Sequence, residues 1–409
     1  MDEKTFLIGA ARRDMTPEIG VNLVGGVAPY PSDGIATRPY IKAMALTGKS
    51  DTFLFLTFDN LKYPDALEAV AAVAAATGLE TTHVLVTASH AHSCPWYQDY
   101  GEGIVESMVS AAKEALDNRT PCTLLVASGT LEHLTHNRRV IKDGTCWNTW
   151  LLPKDQRLNY PPAAAHDTQV LTFAAKDASG KFKAVLFNFA CHACTSGETP
   201  TLISADYPGY TRLFLDEALG YETETLFWPG ACGDINGLRN AETIGKAMAG
   251  VIAESLKTAK EIESNDLKVI QIWLELTDRN IQEFKSEAVE EIWAKEVEHF
   301  RECYQEAVDA RKDCYHCPLT ALRIGTDVAV VTSPTEMFSE IGLQIKAESP
   351  FGTTFVVEQT NGALGYLPTE KAYRQGGYET FYGEHSFLEE DAGPKIYRAS
   401  MALLGSVKE

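Results

Sequence analysis

The chain is organised around the stretch THVLVTASHAHSCP, residues 82–95. Its first half is β-branched and apolar, which predicts a buried strand over residues 82–87. The character of the chain then changes, and Pro95 prevents the strand from simply continuing. His90 and His92 therefore follow the carboxyl end of a strand, where α/β proteins commonly build their sites.

The two histidines are candidates for one shared site. In extended geometry, residues two apart point to the same side, so His90 and His92 could face a common ligand. Neutral imidazole is the commonest metal ligand in proteins, and a second histidine can orient, relay protons or also ligate. The alternative is a pair of hydrogen-bonded turn histidines. The pair alone does not decide between these interpretations.

Bulk properties exclude several classes of protein. The chain has 409 residues, of which 45% are hydrophobic and 22% charged, as in a soluble globular protein with a sizeable core. Its net charge is -20, with 56 acidic against 36 basic residues. Such an acidic balance disfavours binding to nucleic acid or to anionic membranes, so we expect a small-molecule substrate.

Targeting signals are also lacking in the sequence. No run approaches the roughly 18 apolar residues of a membrane helix, so we expect no integral membrane segment. The acidic N-terminus is not typical of a secretory signal. Nine cysteines is an odd count, which fits a reducing compartment. We therefore expect a cytoplasmic protein, and the sequence does not indicate its oligomeric state.

Strand and helix patterns alternate along the chain, but hairpins recur among them. This predicts an α/β (α+β) fold, with a mixed β-sheet core flanked by helices and a site at the carboxyl ends of the strands. No Ser-, Pro- or Gly-rich linker interrupts the pattern, so we expect a single domain over residues 1–409. The highly charged residues 280–316 have helical spacing and read as a helical insertion within it.

Several segments share one design, an apolar strand that ends in a polar or Gly-rich turn. After His90 and His92 these turns carry His192 and Asp234, and Glu336 and Tyr366 follow further along. Each has a simpler interpretation. Asp234 could form an Asx-turn, and Tyr366 could be an amphipathic rim residue. Glu336 follows the helix-start signal TSPT, so it could be a helix-start acid, and we predict a helix over 335–346.

The motifs of the chain resemble those of one known family, the neutral/alkaline (non-lysosomal) ceramidases. Six segments of that family have counterparts here in the same order: His-Thr-His-Ser-Gly-Pro, Phe-Ala-x-His, Ser-(Gly/x)-Asp-x-x-Gly-Tyr, Gly-Asp-Val, Pro-Gly-Glu and Asn-x-Tyr-x-x-Tyr. These counterparts are HAHSCP (90–95), FACH (189–192), SADYPGY (204–210), GDI (233–235), SPTE (333–336) and NGALGY (361–366). Together they are specific, although no single motif would be.

The resemblance implies a zinc-dependent amidohydrolase, in which metal-activated water attacks an amide (N-acyl) bond. It implies zinc ligands at four positions: His90, His192, Glu336 and Tyr366. Two histidines and a carboxylate with an open position suit hydrolytic zinc, which lowers the pKa of bound water to about 7.

The resemblance also implies roles for further residues. His92 would handle protons, and Arg138 or Tyr366 would stabilise the oxyanion. Asp234 belongs to the same predicted catalytic set. Substrate-binding positions are expected at Asn236, Asp206 and Asn361. Asn236 stands where the family has a serine, which fits attack by water.

The expected substrate is small and soluble, because we expect neither an export signal nor the family's C-terminal β-sandwich domain. Two alternatives stay open. One is a zinc-dependent esterase or lactonase acting on a sugar-derived substrate. The other is a non-catalytic, metal-containing protein that binds a ligand.

Overall fold

The larger sheet contains nine strands among the residues that the computed structural model describes, namely 3–24, 30–101, 103–197, 201–285 and 297–409. The outermost pair of strands at each edge of this sheet is parallel, and all its other neighbouring strands are antiparallel. In spatial order the strands are Glu224–Pro229, Phe182–Phe189, Gln169–Asp177, Thr120–Thr130, Thr5–Asp14, Tyr40–Thr47, Thr52–Phe58 and Val84–Ala88, with Lys260–Glu261 beside Thr120–Thr130.

A second sheet packs face to face on the first. The aromatic rings of Phe173 and Trp228 from the first sheet lie 6.0 and 6.1 Å from that of Phe355 in the second. Both sheets contribute to one apolar cluster, whose burial stabilises their contact. The second sheet runs in the order Leu267–Leu276, Tyr315–Ile324, Val328–Thr332 and Thr353–Val357, with the last pair parallel.

Helices cover the outer face of each sheet. Two pairs lie on the first sheet and one pair on the second, so the layers run helix, sheet, sheet, helix. Strands buried on both faces should be continuously apolar, as in TFLFLTF of Thr52–Phe58. The predicted mixed sheet flanked by helices is confirmed, and its division into two sheets is new. The pairs are Ala66–Thr77 with Gly103–Asp117, Asp206–Leu219 with Ala241–Ser255, and Ser339–Glu348 with Ala392–Lys408.

The helix predicted over 335–346 begins later than expected. Glu336–Met337 forms a short parallel strand with Tyr366–Leu367, and the helix starts at Ser339. The backbone N–H of Glu336 donates a hydrogen bond to the carbonyl of Gly365 at 2.8 Å. At the start of a helix this N–H would have no backbone partner, so the bond favours the strand pairing. The alternative interpretation of Glu336 as a helix-start acid is therefore wrong.

The remaining elements are short. Residues 286–296 of the predicted insertion over 280–316 lie outside the described residues, so that insertion stays a prediction. Its described part contains a helix at Val297–Asp309. In the described part of the chain, no helix is long and apolar enough to cross a membrane. The short strands are Asn22–Leu23, Tyr30–Pro31, Gly34–Ile35, Thr135–Asn137, Arg139–Lys142, Thr145–Asn148, Leu202–Ile203 and Ile235–Gly237, and one short helix spans Glu370–Gln375.

Candidate metal centre

Two histidine-bearing loops lie side by side at the carboxyl ends of their strands. Ala91 forms a parallel bridge with Ala193, and the His92 amide donates to the Ala193 carbonyl at 3.0 Å. His90 adopts a left-handed φ of 62°, so the pair is not extended as expected. This turn still leaves the rings of His90 and His92 5.1 Å apart, and those of His90 and His192 4.5 Å apart.

One nitrogen of each of two rings is anchored to the backbone. Nδ1 of His90 donates to the carbonyl of Leu61 at 2.9 Å, and Nδ1 of His192 donates to that of Cys232 at 2.7 Å. A carbonyl can only accept, so these bonds place the proton on Nδ1. They leave the lone pair of Nε2 free in both rings, as is common in histidine metal ligands.

The two free nitrogens converge on one carboxylate. Oε2 of Glu336 lies 3.4 Å from Nε2 of His90 and 3.5 Å from Nε2 of His192. All three atoms are buried, and none has a hydrogen-bond partner among the described residues. Buried polar atoms without partners are costly, and three that face one another form a donor set suited to a cation. Two imidazole nitrogens and a carboxylate oxygen are ligands that zinc accepts.

The electrostatics favour the ligand-competent protonation states. Burial, with the nearby positive charge of Arg138, lowers the pKa of His192 to about 3, so this ring is neutral at physiological pH. Burial also holds the pKa of His92 well below its ordinary range. For Glu336, burial alone would raise the pKa, but the facing His90 and His192 more than offset it, and the carboxyl ionises readily.

Tyr366 stands beside Glu336 because the two are paired residues of the short parallel strands. Its ring stacks on that of His192, with centroids 6.3 Å apart and an interplanar angle of 23°. Its hydroxyl accepts a hydrogen bond from Nη2 of Arg138 at 2.9 Å. The fourth predicted ligand therefore lies next to the cluster, with a cationic donor on its oxygen.

Arg138 is buried and has a partner at each of its three nitrogens. Its Nη2 donates to the Tyr366 hydroxyl, its Nη1 to Oδ1 of Asn236 at 3.2 Å, and its Nε to Glu379 at 2.7 Å. Burial alone would lower the pKa of Arg138, but Tyr366 and Glu379 more than offset it, so the guanidinium stays charged. The structure thus joins Arg138, Tyr366 and Asn236, three of the predicted site residues.

Glu379 is a site residue that the sequence did not indicate. It is fully buried and accepts hydrogen bonds from Arg138, from Arg139 at 2.8 Å and from Asn148 at 2.9 Å. Burial would raise its pKa, but the two arginines lower it to about 2. Its sequence context, GGYE, matches no motif, so no local signal could have marked it.

Asp234 uses both carboxylate oxygens within the scaffold. Oδ1 accepts from the amide of Ser339 at 2.8 Å, and Oδ2 accepts from Nδ2 of Asn137 at 2.6 Å. These bonds fix the start of the helix Ser339–Glu348 and the segment that leads into Arg138. Its catalytic role stays a prediction, and these contacts favour a positioning role.

Asp206 and Asn361 also bind the backbone around the site. Asp206 accepts from the amide of Thr195 at 2.9 Å, which fixes the loop after His192. Asn361 accepts from the amide of Val86 at 2.8 Å on the strand that leads to His90. Both are buried, and these contacts are with protein, so their substrate-binding roles stay predictions.

The fold and this cluster define an α/β protein with a candidate metal centre lined by histidine and carboxylate. The family model for neutral/alkaline non-lysosomal ceramidase, N-terminal, matches residues 6–227, and the chain belongs to this family. It is similar over its whole length to the neutral ceramidase from Pseudomonas aeruginosa, with a TM-score of 0.77, 16% identity and 75% of that chain covered. A ceramidase complexed with C2 gives a TM-score of 0.74 and 15% identity, covering 98% of this chain and 75% of that one. No curated protein matches the sequence significantly.

Proposed function

We propose that the protein is a zinc-dependent hydrolase that cleaves an amide (N-acyl) bond in a small substrate. Family and fold support a hydrolase resembling neutral ceramidase. The observation that carries the proposal further is the convergence of three buried, unpartnered atoms, Nε2 of His90, Nε2 of His192 and Oε2 of Glu336.

Zinc would be held by His90, His192 and Glu336, with Tyr366 as the fourth ligand that the family resemblance implies. The donor chemistry fits, because the carboxyl ionises readily and the Nδ1 bonds to backbone carbonyls leave both Nε2 lone pairs free. When bound at such a site, zinc polarises a carbonyl and makes water acidic enough to ionise near neutral pH.

His92 is the residue placed to move protons. Its ring faces both His90 and His192, and its Nε2 is buried with no partner in the described part of the chain. A low pKa keeps it neutral, so Nε2 can accept a proton from the attacking water and then deliver it to the leaving nitrogen. An amide nitrogen needs that proton to depart.

Arg138 supplies a fixed positive charge beside Tyr366. Because Glu379 and Asn236 also hold its nitrogens, the guanidinium needs little reorganisation to face negative charge as it develops on the carbonyl oxygen.

Metal content and turnover of purified variants test this proposal. His92→Ala should keep zinc at the wild-type stoichiometry and lose about 10²- to 10⁴-fold in kcat, the usual share of general acid–base catalysis. His90→Ala should lose the zinc itself. His133→Ala is the matched control, because that side chain is exposed to solvent, and it should behave as wild type.

The substrates for this test are N-acyl and O-acyl forms of the same compounds, from soluble N-acyl amino acids to an N-acyl sphingoid base, together with lactones. We expect hydrolysis of the N-acyl members. Turnover confined to esters or lactones would replace the amide assignment. Full activity of a zinc-free preparation, or of His92→Ala, would remove the proposed mechanism, and zinc binding without any turnover would favour a ligand-binding protein.

A further inference from the structure

A second cluster of metal-ligating side chains lies on the surface of the second sheet. It consists of Glu275, Cys314 and His316, whose ligand atoms all lie within 4.8 Å of one another. The cluster belongs to other strands than the candidate metal centre and shares no residue with it. It is also independent of the proposed function.

The strand register produces this cluster. Glu275 lies directly opposite His316 in the antiparallel pair formed by Leu267–Leu276 and Tyr315–Ile324, so both side chains stand on one face. Both are exposed, and the adjacent Cys314, which precedes its strand, is half-buried. Cross-strand neighbours of this kind have Cβ atoms about 5 Å apart, close enough to share an ion.

The sequence contains a Cys-x-x-Cys pair at Cys314 and Cys317, which by itself would predict two thiolate ligands. The structure separates them. Cys317 is fully buried on the inward face of its strand, and that burial raises its pKa far above the ordinary thiol value. Because alternate residues of a strand face opposite sides, His316 points outward in its place. The partner of Cys314 is thus the histidine and not the second cysteine.

None of the three side chains has a hydrogen-bond or ion-pair partner within the described residues, so no competing contact must be broken to use them. We propose that Glu275, Cys314 and His316 form a second metal site for a divalent ion such as zinc or cobalt. A thiolate, an imidazole and a carboxylate all belong to the ligand set of zinc, and water would complete a tetrahedron. In such a tetrahedron neighbouring ligand atoms lie roughly 3.3 to 3.8 Å apart, so the side chains need to close by about 1.5 Å at most.

Binding at this site exchanges one proton for the ion. A cysteine binds a metal as its thiolate, so the Cys314 thiol gives its proton to the solvent when the metal–sulfur bond forms. Affinity should therefore fall as the pH is lowered. The ion would link the edge strand Leu267–Leu276 to the segment that follows the helix Val297–Asp309.

Cobalt is the probe for this site, because a thiolate ligand gives Co²⁺ a near-ultraviolet charge-transfer absorption that nitrogen and oxygen ligands do not. We expect the full-length protein, stripped by a chelator and titrated with Co²⁺, to develop this absorption with one thiolate centre per chain. Cys314→Ser should abolish it, and His316→Ala should weaken cobalt binding by at least about tenfold. Hydrolytic activity of the zinc-loaded Cys314→Ser protein should equal that of wild type.

The matched control is Cys194→Ser, which removes a thiol near the candidate metal centre, where Sγ of Cys194 lies 3.7 Å from Oδ1 of Asn236. This variant should keep the full charge-transfer absorption. Absorption that survives Cys314→Ser but disappears in Cys194→Ser would assign the thiolate to the other centre and overturn the proposal. So would the absence of any thiolate–cobalt absorption in the wild-type protein at cobalt concentrations up to about 1 mM.

Discussion

Replacing Glu379 with glutamine should destabilise the protein far more than a single charge change usually does. The carboxylate is fully buried and faces two guanidinium groups, at 2.7 Å from Arg138 and 2.8 Å from Arg139. Their attraction, which opposes the effect of burial, lowers the pKa of Glu379 from 4.5 to about 2. That shift corresponds to about 3 kcal/mol in favour of the ionised form.

In Glu379→Gln the amide keeps the shape of the side chain but loses its charge, and two buried arginines then share one cavity without a counter-ion. Removing one partner of a buried ion pair typically costs about 3 to 5 kcal/mol, in line with the value from the pKa. We therefore expect the free energy of unfolding to fall by about 3 kcal/mol, a large part of the stability of an ordinary domain. Catalytic turnover should also fall, since the amide has one acceptor oxygen instead of two and holds Arg138 less firmly toward Tyr366.

Stability is measured by chemical denaturation, where an unchanged m-value shows that the shift of the midpoint reports stability. Activity is measured as kcat with saturating substrate. Glu254→Gln is the control, because Glu254 pairs with Lys257 on an exposed helix surface, and such pairs contribute less than about 1 kcal/mol. A loss in Glu379→Gln no larger than in this control would refute the idea that the carboxylate neutralises both arginines. Glu379→Asp, which keeps the charge, should recover part of the stability.

Two further outcomes follow from the site. The pKa of His192 is about 3 in the folded chain and about 6.5 when unfolded, so below pH 6.5 the unfolded state binds more protons and the stability decreases as the pH is lowered. The metal-free protein should lose about 2 kcal/mol of stability between pH 7 and pH 5 through this group. An equally steep dependence of stability on pH in His192→Gln would contradict this. Gly233→Ala should weaken both stability and zinc binding, because a Cβ there would lie 2.4 Å from the carbonyl oxygen of Glu336. The control is Gly250→Ala, where a Cβ meets open space on a helix, and it should be neutral or stabilising by about 0.5 to 1 kcal/mol. Similar losses in the two variants, measured by denaturation and metal analysis, would exclude this steric cause.

Local patterns predicted most of the strands, because an apolar run between turn residues needs little tertiary information. The strand predicted over 82–87, before His90, is shifted only to Val84–Ala88. Residues 335–346 show where this reasoning fails. The sequence TSPT is typical of a helix start, but Glu336–Met337 pairs with the strand Tyr366–Leu367, thirty residues away, and the helix begins only at Ser339.

Which strands become neighbours could not be predicted, since pairing depends on distant partners. Strand Thr5–Asp14 pairs with Tyr40–Thr47 on one side and with Thr120–Thr130 on the other, and nothing in its own residues specifies either. The candidate ligands were found because histidine and carboxylate after strand ends are visible in sequence and resemble the motifs of a family. Glu379 was not found, because its role comes from its contacts with Arg138 and Arg139, which lie 241 and 240 residues earlier in the chain.

The ligand set is divided between distant parts of the polypeptide, and this has a consequence for biogenesis. His90 and His192 belong to the first half, within the matched region 6–227, whereas Glu336 belongs to a strand beside the second sheet. A nascent chain that has not yet emerged as far as Glu336 offers two imidazoles but no carboxylate. Zinc capture at the proposed centre would therefore be a late event, because it requires synthesis past Glu336 and the meeting of both parts of the chain.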